Sequence, residues 1–363
     1  MEMKILFLTQ SLGSGGAERR MVNIACLLKD KGYSPFFICL HNGDFYLSTL
    51  KERGIDVIWI TDGFILSKFY KVSRIIKEGQ YGTVFSLLET PNIINCLVAA
   101  FFKKTWRTVI GETSALNESN KIHGWKHIIR GYITTYVARY ADSIVCNSFH
   151  ATELWETMKP DYADKLETIY NPVILPSVSS KYIPLRNGRT NIVVAASYQY
   201  LKNPIACIKA VALMKSKHKI HIDWYGRKAD AYQEACDLIR KEHLEEEISL
   251  HGEIKDITDK MNEADVIALF SKVEGLPNAI CEGICLGKPI LMSQISDHNI
   301  LVDYNNGITF NPNDVNSISK ALQDFCYKSD EELLKMGKVS KEKSAILFDA
   351  DKICSQWMRI LAK

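Results

Sequence analysis

Apolar positions along this chain alternate between two textures. Short runs of four to seven apolar residues read as strands buried on both faces, at residues 3–9, 36–40, 56–60, 83–88, 108–111 and 143–147. Between them lie stretches with apolar residues three and four apart, at 17–31, 47–53, 68–77, 93–102 and 124–140, with a short helix from 151. Strand alternating with helix predicts a parallel sheet with helices on both faces. The texture then breaks. Residues 169–188 carry Pro172, Pro176 and Pro184 with little periodicity, and they read as a linker. The alternation restarts with strands at 191–196, 219–225, 248–251, 264–270, 289–293 and 307–310. Helices are expected at 204–216, 232–242 and 254–263, in the stretch before Gly287, and finally at 315–325 and 349–361. The pattern predicts two doubly wound α/β units, at 1–170 and 189–345, joined by a linker at 171–188. A terminal helix within 346–363 is expected to pack back on the first unit. Ligands in such units bind beyond the carboxyl ends of the strands, so a cleft shared by the two units is the expected site.

Composition narrows the class. Hydrophobic residues make up 47% and charged residues 24%, as in a folded globular protein. The apolar run at 93–102 is half the roughly twenty residues a spanning helix needs, so none is expected. The opening residues MEMKILFLTQ lack the layout of a secretory leader, which predicts a cytoplasmic protein. The ten cysteines lack paired spacing. Cys281 and Cys285 are four apart on a predicted helix, but no second pair or histidine cluster joins them, so packing is the expected role. A net charge of +3 is too small to point to nucleic acid. Its distribution says more: residues 1–189 hold 23 basic and 17 acidic side chains, the remainder 22 and 25. The halves are built for different partners.

The richest stretch is 274–290, EGLPNAICEGICLGKPI. A predicted strand leads into the turn Gly275-Leu276-Pro277-Asn278, and a small-residue helix then runs to Gly287 and Pro289. Free amides and a positive helix end after a strand suit an anion. Glu274 and Glu282 bracket the turn, and two carboxylates there suit a ligand with hydroxyls as well as phosphates. Glu282 on its own also reads as a surface helix acid. Near the N-terminus, Gly13 to Arg19 (GSGGAER) misses the dinucleotide fingerprint, because Glu18 stands at the third glycine position and repels a pyrophosphate. The loop suits close backbone approach to a ligand and, equally, a plain tight turn with a favourable first-turn acid. Lys202 follows the first strand of the second unit, where it can reach diphosphate oxygens or stand solvated.

Glu274 and Glu282 form an E-x7-E pattern, accompanied by GGAER at Gly15 to Arg19 and LKN at Leu201 to Asn203. With these motifs in order, the chain resembles the retaining glycosyltransferases of family four, which have the GT-B fold: two Rossmann-like domains facing across a cleft. IVCNS at Ile144 to Ser148 resembles the last strand of the family's first domain, and glycine turns near Gly226, Gly252 and Gly307 fall where the family has its own. The resemblance implies that Glu282 binds the donor ribose and Glu274 the transferred sugar. It implies that Lys202 and the amides around the turn of Gly275, Leu276, Pro277 and Asn278 hold the diphosphate, beside Ser197, Tyr225 and Gly226. Gly15, Gly16 and Glu18 would meet the acceptor. The reaction it implies needs no metal and no cofactor beyond the nucleotide sugar, and proceeds on one face with the leaving phosphate taking the acceptor's proton.

Two positions depart from the family. Its usual arginine five residues before the lysine is Ser197 here, leaving a phosphate contact to another group such as Arg227. Where many members carry a histidine, this chain carries Glu112, which can bind acceptor hydroxyls, act as a base or stand as a loop acid. His123 and His127 are spaced for one helix face and read as surface residues. Aromatic and basic residues mix at 66–77, 101–107 and 124–140, as on a solvated helix face or a face resting on an anionic bilayer. The basic first half favours the bilayer, on the inner face of the plasma membrane. The expected activity is transfer of a hexose or N-acetylhexosamine, from UDP by expectation, to a lipid-linked glycan in capsule or O-antigen synthesis. A GT-B nucleotide-sugar epimerase and a non-catalytic, nucleotide-sugar-binding partner of another transferase are the alternatives, the latter kept open by Ser197.

Overall fold

The first apolar run becomes β1 (Lys4–Thr9), paired in parallel with β2 (Ser34–Cys39) on one side and β4 (Thr83–Leu87) on the other. In this computed structural model the described residues are 3–112, 125–175, 184, 188–254 and 256–361, less the side chains of 125–128. β3 (Asp56–Trp59) lies outside β2, and β5 (Arg107–Glu112), β6 (Ser143–Cys146) and β7 (Leu166–Thr168) extend the other side. The order is β3-β2-β1-β4-β5-β6-β7, every pair parallel. The connecting helices are α1 (Gly16–Asp30), α2 (Leu47–Glu52), α3 (Ile65–Glu78), α4 (Glu89–Phe101), α5 (Trp125–Val137) and α6 (Phe149–Met158). α4 starts four residues before its apolar spacing, because Pro91 in its first turn needs no hydrogen-bonded N–H. β7 was not expected: three half-buried residues at the sheet edge show no alternation.

The first unit comprises Met1–Pro172 together with Ala350–Lys363. Its core stacks Phe7 on Phe37 with ring centroids 5.0 Å apart and carries Phe85 against Trp357 of the C-terminal helix (Ala350–Leu361), also at 5.0 Å. Ile353, Ile360 and Leu361 join the same cluster, so this helix is part of the unit's core.

The second unit, Val173–Asp349, has a six-stranded parallel sheet. Its strands are β8 (Thr190–Ala195), β9 (Ile220–Tyr225), β10 (Ile248–His251), β11 (Val266–Leu269), β12 (Ile290–Ser293) and β13 (Gly307–Phe310), ordered β10-β9-β8-β11-β12-β13. Its helices are α7 (Pro204–Ala212), α8 (Tyr232–Glu242), α9 (Thr258–Glu263), α10 (Asn278–Cys285), α11 (His298–Leu301), α12 (Val315–Cys326) and α13 (Asp330–Leu347). A ladder of Tyr198, Trp224, Phe270 and Phe310 fills the core.

α13 corrects the expectation of only two closing helical segments. Its buried face is Leu333, Met336, Gly337 and Ser340, and two of those four are not apolar, so the periodic signal is thin. The capping box formed by Ser329 and Glu332 marks its start. The helix braces the end of α10: Ser340 Oγ donates to the Lys288 carbonyl at 2.7 Å and Lys341 Nζ to that of Cys285 at 2.8 Å.

Candidate functional site

In the second unit, β8 and β11 are neighbours whose chain continuations leave in opposite directions along the sheet, β8 towards β9 and β11 towards β12. Such a switch point opens a crevice at the carboxyl edge. The segment after β8 carries Ser197 and a 3-10 turn, Tyr200–Lys202. The segment after β11 carries Ser271, Glu274 and the turn leading into α10. The Lys272 amide donates to the Leu201 carbonyl at 2.8 Å, tying the two segments together. Across them Lys202 Nζ pairs with Glu274 Oε1, and Ser271 Oγ donates to that same oxygen at 2.8 Å.

This geometry revises the sequence reading. Lys202 and Glu274 are only 22% and 15% exposed, so Lys202 is not a freely solvated lysine. Glu282 is buried inside α10 rather than on its surface. Asn278 opens α10, and Pro277 precedes it with no side-chain cap, so the amides of the first turn have no side-chain acceptor at the cap. Gly226 has a packing role: a Cβ there would collide with the Ala196 carbonyl. Tyr225, at the end of β9, stacks on His251 with ring centroids 4.4 Å apart, and burial raises its hydroxyl pKa. Ser197 Oγ donates to Gln199 Oε1 at 3.1 Å. Beside it, the Arg227 carbonyl accepts from the Tyr198 amide at 3.0 Å, while the Arg227 side chain is exposed. The strand edge thus brings Arg227 next to the position that lacks an arginine.

A cavity of about 280 Å³ opens beside the same segments, lined by Tyr200, Asn203, Lys209, Lys272 and Asn313 among others. Lys202, Glu274 and Glu282 do not line it.

The corresponding edge of the first unit is organised inward. Gly15 caps α1, and the Glu18 carboxylate folds back over it, where a side chain at 15 would collide. Ser11 Oγ donates to Glu18 Oε1 at 3.3 Å, and burial raises the carboxyl pKa against those hydrogen bonds. Gly16 is the first residue of the helix. Glu112 is the last residue of β5 and buried, so it is not a loop acid. Its carbonyl accepts from Arg20 Nη1 at 2.9 Å, and Arg20 Nη2 donates to the Val145 carbonyl at 3.4 Å. Burial pushes the Arg20 guanidinium down to about 10, partly opposed by Cys146 and Glu112. Arg20 also lies 5.4 Å from the Trp357 ring centroid, so it joins α1 to the ends of β5 and β6 and to the C-terminal helix. His123 and the His127 side chain lie outside the described residues.

On α5, Ile129, Tyr132, Ile133 and Tyr136 are all exposed, at i, i+3, i+4 and i+7, with Arg139 against the Tyr136 ring at 3.5 Å. Phe64, Leu66 and Tyr70 at the start of α3 and Phe101 at the end of α4 are exposed as well. Lys68 is not part of that face; it is buried, its Nζ donating to the Leu40 carbonyl at 2.6 Å. Among the described residues no helix is long and apolar enough to cross a membrane, and no group of three His, Cys, Asp or Glu residues could hold a metal.

Sequence reasoning missed Ser271 and Arg20. The S-x-x-E spacing of Ser271 and Glu274 was visible. Arg20 carried no signal, because an arginine on an amphipathic helix ordinarily faces water.

The two sheets, their strand orders and their helices define the GT-B fold. Among the solved structures that share it are Anabaena Alr3699/HepE in complex with UDP and glucose (TM-score 0.84, 19% identity, 99% of this chain and 100% of that one), and the lipopolysaccharide outer core galactosyltransferase WaaB (TM-score 0.77, 16% identity, 99% of each). At such identities the likeness concerns the fold. Residues 189–327 match the family model of glycosyl transferases group 1. A curated Campylobacter jejuni relative is 22% identical over 381 residues, covering 99% of both chains. It is the alpha-1,4-N-acetyl-D-galactosaminyltransferase named for GalNAc-alpha-(1->4)-GalNAc-alpha-(1->3)-diNAcBac-PP-undecaprenol.

Proposed function

We propose that this chain is a retaining, metal-independent glycosyltransferase that moves a hexose or N-acetylhexosamine from a UDP-sugar to a lipid-linked glycan. The observation that carries the reading is the Lys202–Glu274 pair at the switch point of the second sheet, beside the start of α10. Family-four character, suggested by the motifs, is supported by the group 1 match over 189–327. UDP as the donor's nucleotide is supported by the ligand of the Anabaena neighbour, and a lipid-linked acceptor by the name of the Campylobacter relative.

The glycosidic bond from the anomeric carbon to the diphosphate breaks with its electron pair going to the phosphate oxygen. The acceptor oxygen bonds to the anomeric carbon from the same face, and its proton passes to the departing phosphate. Charge builds on the diphosphate, where Lys202, the amides of Gly275, Leu276 and Asn278 and the N-terminal start of α10 stabilise it. Binding exchanges the Lys202–Glu274 contact for a diphosphate on Lys202 and a sugar hydroxyl on Glu274. Glu282 holds the ribose, Tyr225 and Gly226 border the nucleotide, and Arg227 takes the place left by Ser197. In the first unit, Glu112 meets acceptor hydroxyls and orients them, with Gly15, Gly16 and Glu18 beside it. The exposed aromatic stripe of α5, with Arg130 and Arg139, rests on the anionic inner face of the plasma membrane. The product enters capsule or O-antigen synthesis.

Incubation with UDP-glucose, UDP-galactose and their N-acetylamino counterparts, plus an extract of lipid-linked acceptors, tests this. Free UDP with a mass-shifted lipid is expected. Altered nucleotide sugar without UDP release would indicate an epimerase, and binding without turnover a non-catalytic partner.

A further inference from the structure

Ser296 occupies left-handed backbone, at φ 49°, without being glycine. That conformation carries an energetic cost for any residue with a Cβ, and it persists where surrounding structure holds it. Here the loop is pinned on both sides. The Gln294 amide donates to the Phe310 carbonyl at 2.8 Å, and the Ile300 and Leu301 amides both donate to the Asp297 carbonyl at 2.9 Å. From this fixed position Ser296 Oγ donates to the carbonyl of Gly275, in the turn ahead of α10.

The sheet order gives that contact a direction. β11 lies between β8 and β12, so the turn leaving β11 has the β12 loop on one side and the Lys202 segment on the other. In a trans peptide the carbonyl of one residue and the N–H of the next point in opposite senses. Holding the Gly275 carbonyl towards Ser296, which follows β12, therefore turns the Leu276 N–H away from that loop.

We propose that Ser296 is a positioning residue for the donor diphosphate: its hydroxyl locks the Gly275–Leu276 peptide so that the Leu276 amide faces the anion. This rests on the reading of the second unit as the donor site. Glycine at 296 would adopt the same backbone without strain. What serine adds is the hydroxyl.

The test pairs thermal melting of the free protein with calorimetric titration of UDP, for wild type, Ser296→Gly and Ser296→Ala. Ser296→Gly is expected to melt at or above the wild-type temperature yet bind UDP roughly fivefold more weakly, the scale of one lost hydrogen bond. Ser296→Ala, which keeps the strain and loses the hydroxyl, is expected to show a similar loss of affinity. Opposite movement of stability and affinity in the glycine variant is something a merely structural serine would not produce. If wild type binds UDP and both variants bind it equally well, the proposal is overturned. If wild type does not bind UDP, the donor-site reading fails and the proposal fails with it.

Discussion

The two sheets share one strand order through six strands, yet their carboxyl edges are built in opposite ways. In the second unit the charged groups meet across the switch point at partly open positions, with Lys202 against Glu274 and a helix start beside them. In the first unit the comparable charges turn inward: Arg20 is buried, bonded to backbone carbonyls of β5 and β6, and Glu18 folds over its own helix. One edge pairs its charges where they are partly open. The other spends them on holding its own elements together, and offers a largely buried Glu112. A shared six-strand order therefore says where a ligand can sit and not what the edge can do with it.

The contrast can be broken or sharpened by substitution. The largest effect is expected at Trp357, which the C-terminal helix inserts into the core of the first unit. Trp357→Ala should cost about 3–5 kcal/mol of stability. Scanning calorimetry should show the loss in the transition of the first unit and leave that of the second in place. Next comes Glu274→Gln, which keeps the shape and removes the charge. Turnover should fall roughly 100- to 1,000-fold, the scale of losing one transition-state contact, with UDP affinity changed far less. Lys202→Met removes the cation proposed to face the diphosphate and should weaken UDP binding by about tenfold, since hydrogen bonds to charged groups are worth roughly 1.5–3 kcal/mol. Comparable losses of turnover and affinity in both variants would merge the roles assigned to the two residues.

The smallest effect concerns Lys288, which binds the turn after α10 to the end of α9 through the Asn262 and Ala264 carbonyls, at 2.6 and 3.0 Å. Burial pushes its ammonium down to about 8, with Asp265 pulling the other way. The folded form then releases its proton before the unfolded form, so the unfolded chain binds more protons between pH 8 and the ordinary lysine value. Relative to Lys288→Met, wild type should gain stability as pH rises through that window. Melting curves of both proteins from pH 7 to 10 check the sign, and a difference that stays flat or shrinks contradicts it.

How far the sequence could be read follows from what carries each signal. The alternation of apolar runs found the buried strands because parallel strands are apolar on both faces. It missed α13, whose packing face uses Gly337 and Ser340, and β7, three residues long. On the proposed donor side the informative residues lie close together in sequence, within the stretch from Glu274 to Glu282 and one further loop. Strand order alone joins that stretch to Lys202, and no local pattern encodes strand order. Arg20 and Trp357 illustrate the opposite limit, since 337 positions separate them along the chain while the fold places them side by side.

The most direct test of the account is a calorimetric titration of UDP into wild type, Glu282→Ala and Glu112→Ala. With the proposed donor edge in the second unit, Glu282→Ala should weaken UDP binding by about tenfold, while Glu112→Ala leaves it unchanged. Unaltered binding in Glu282→Ala, or an equal loss in Glu112→Ala, would contradict it.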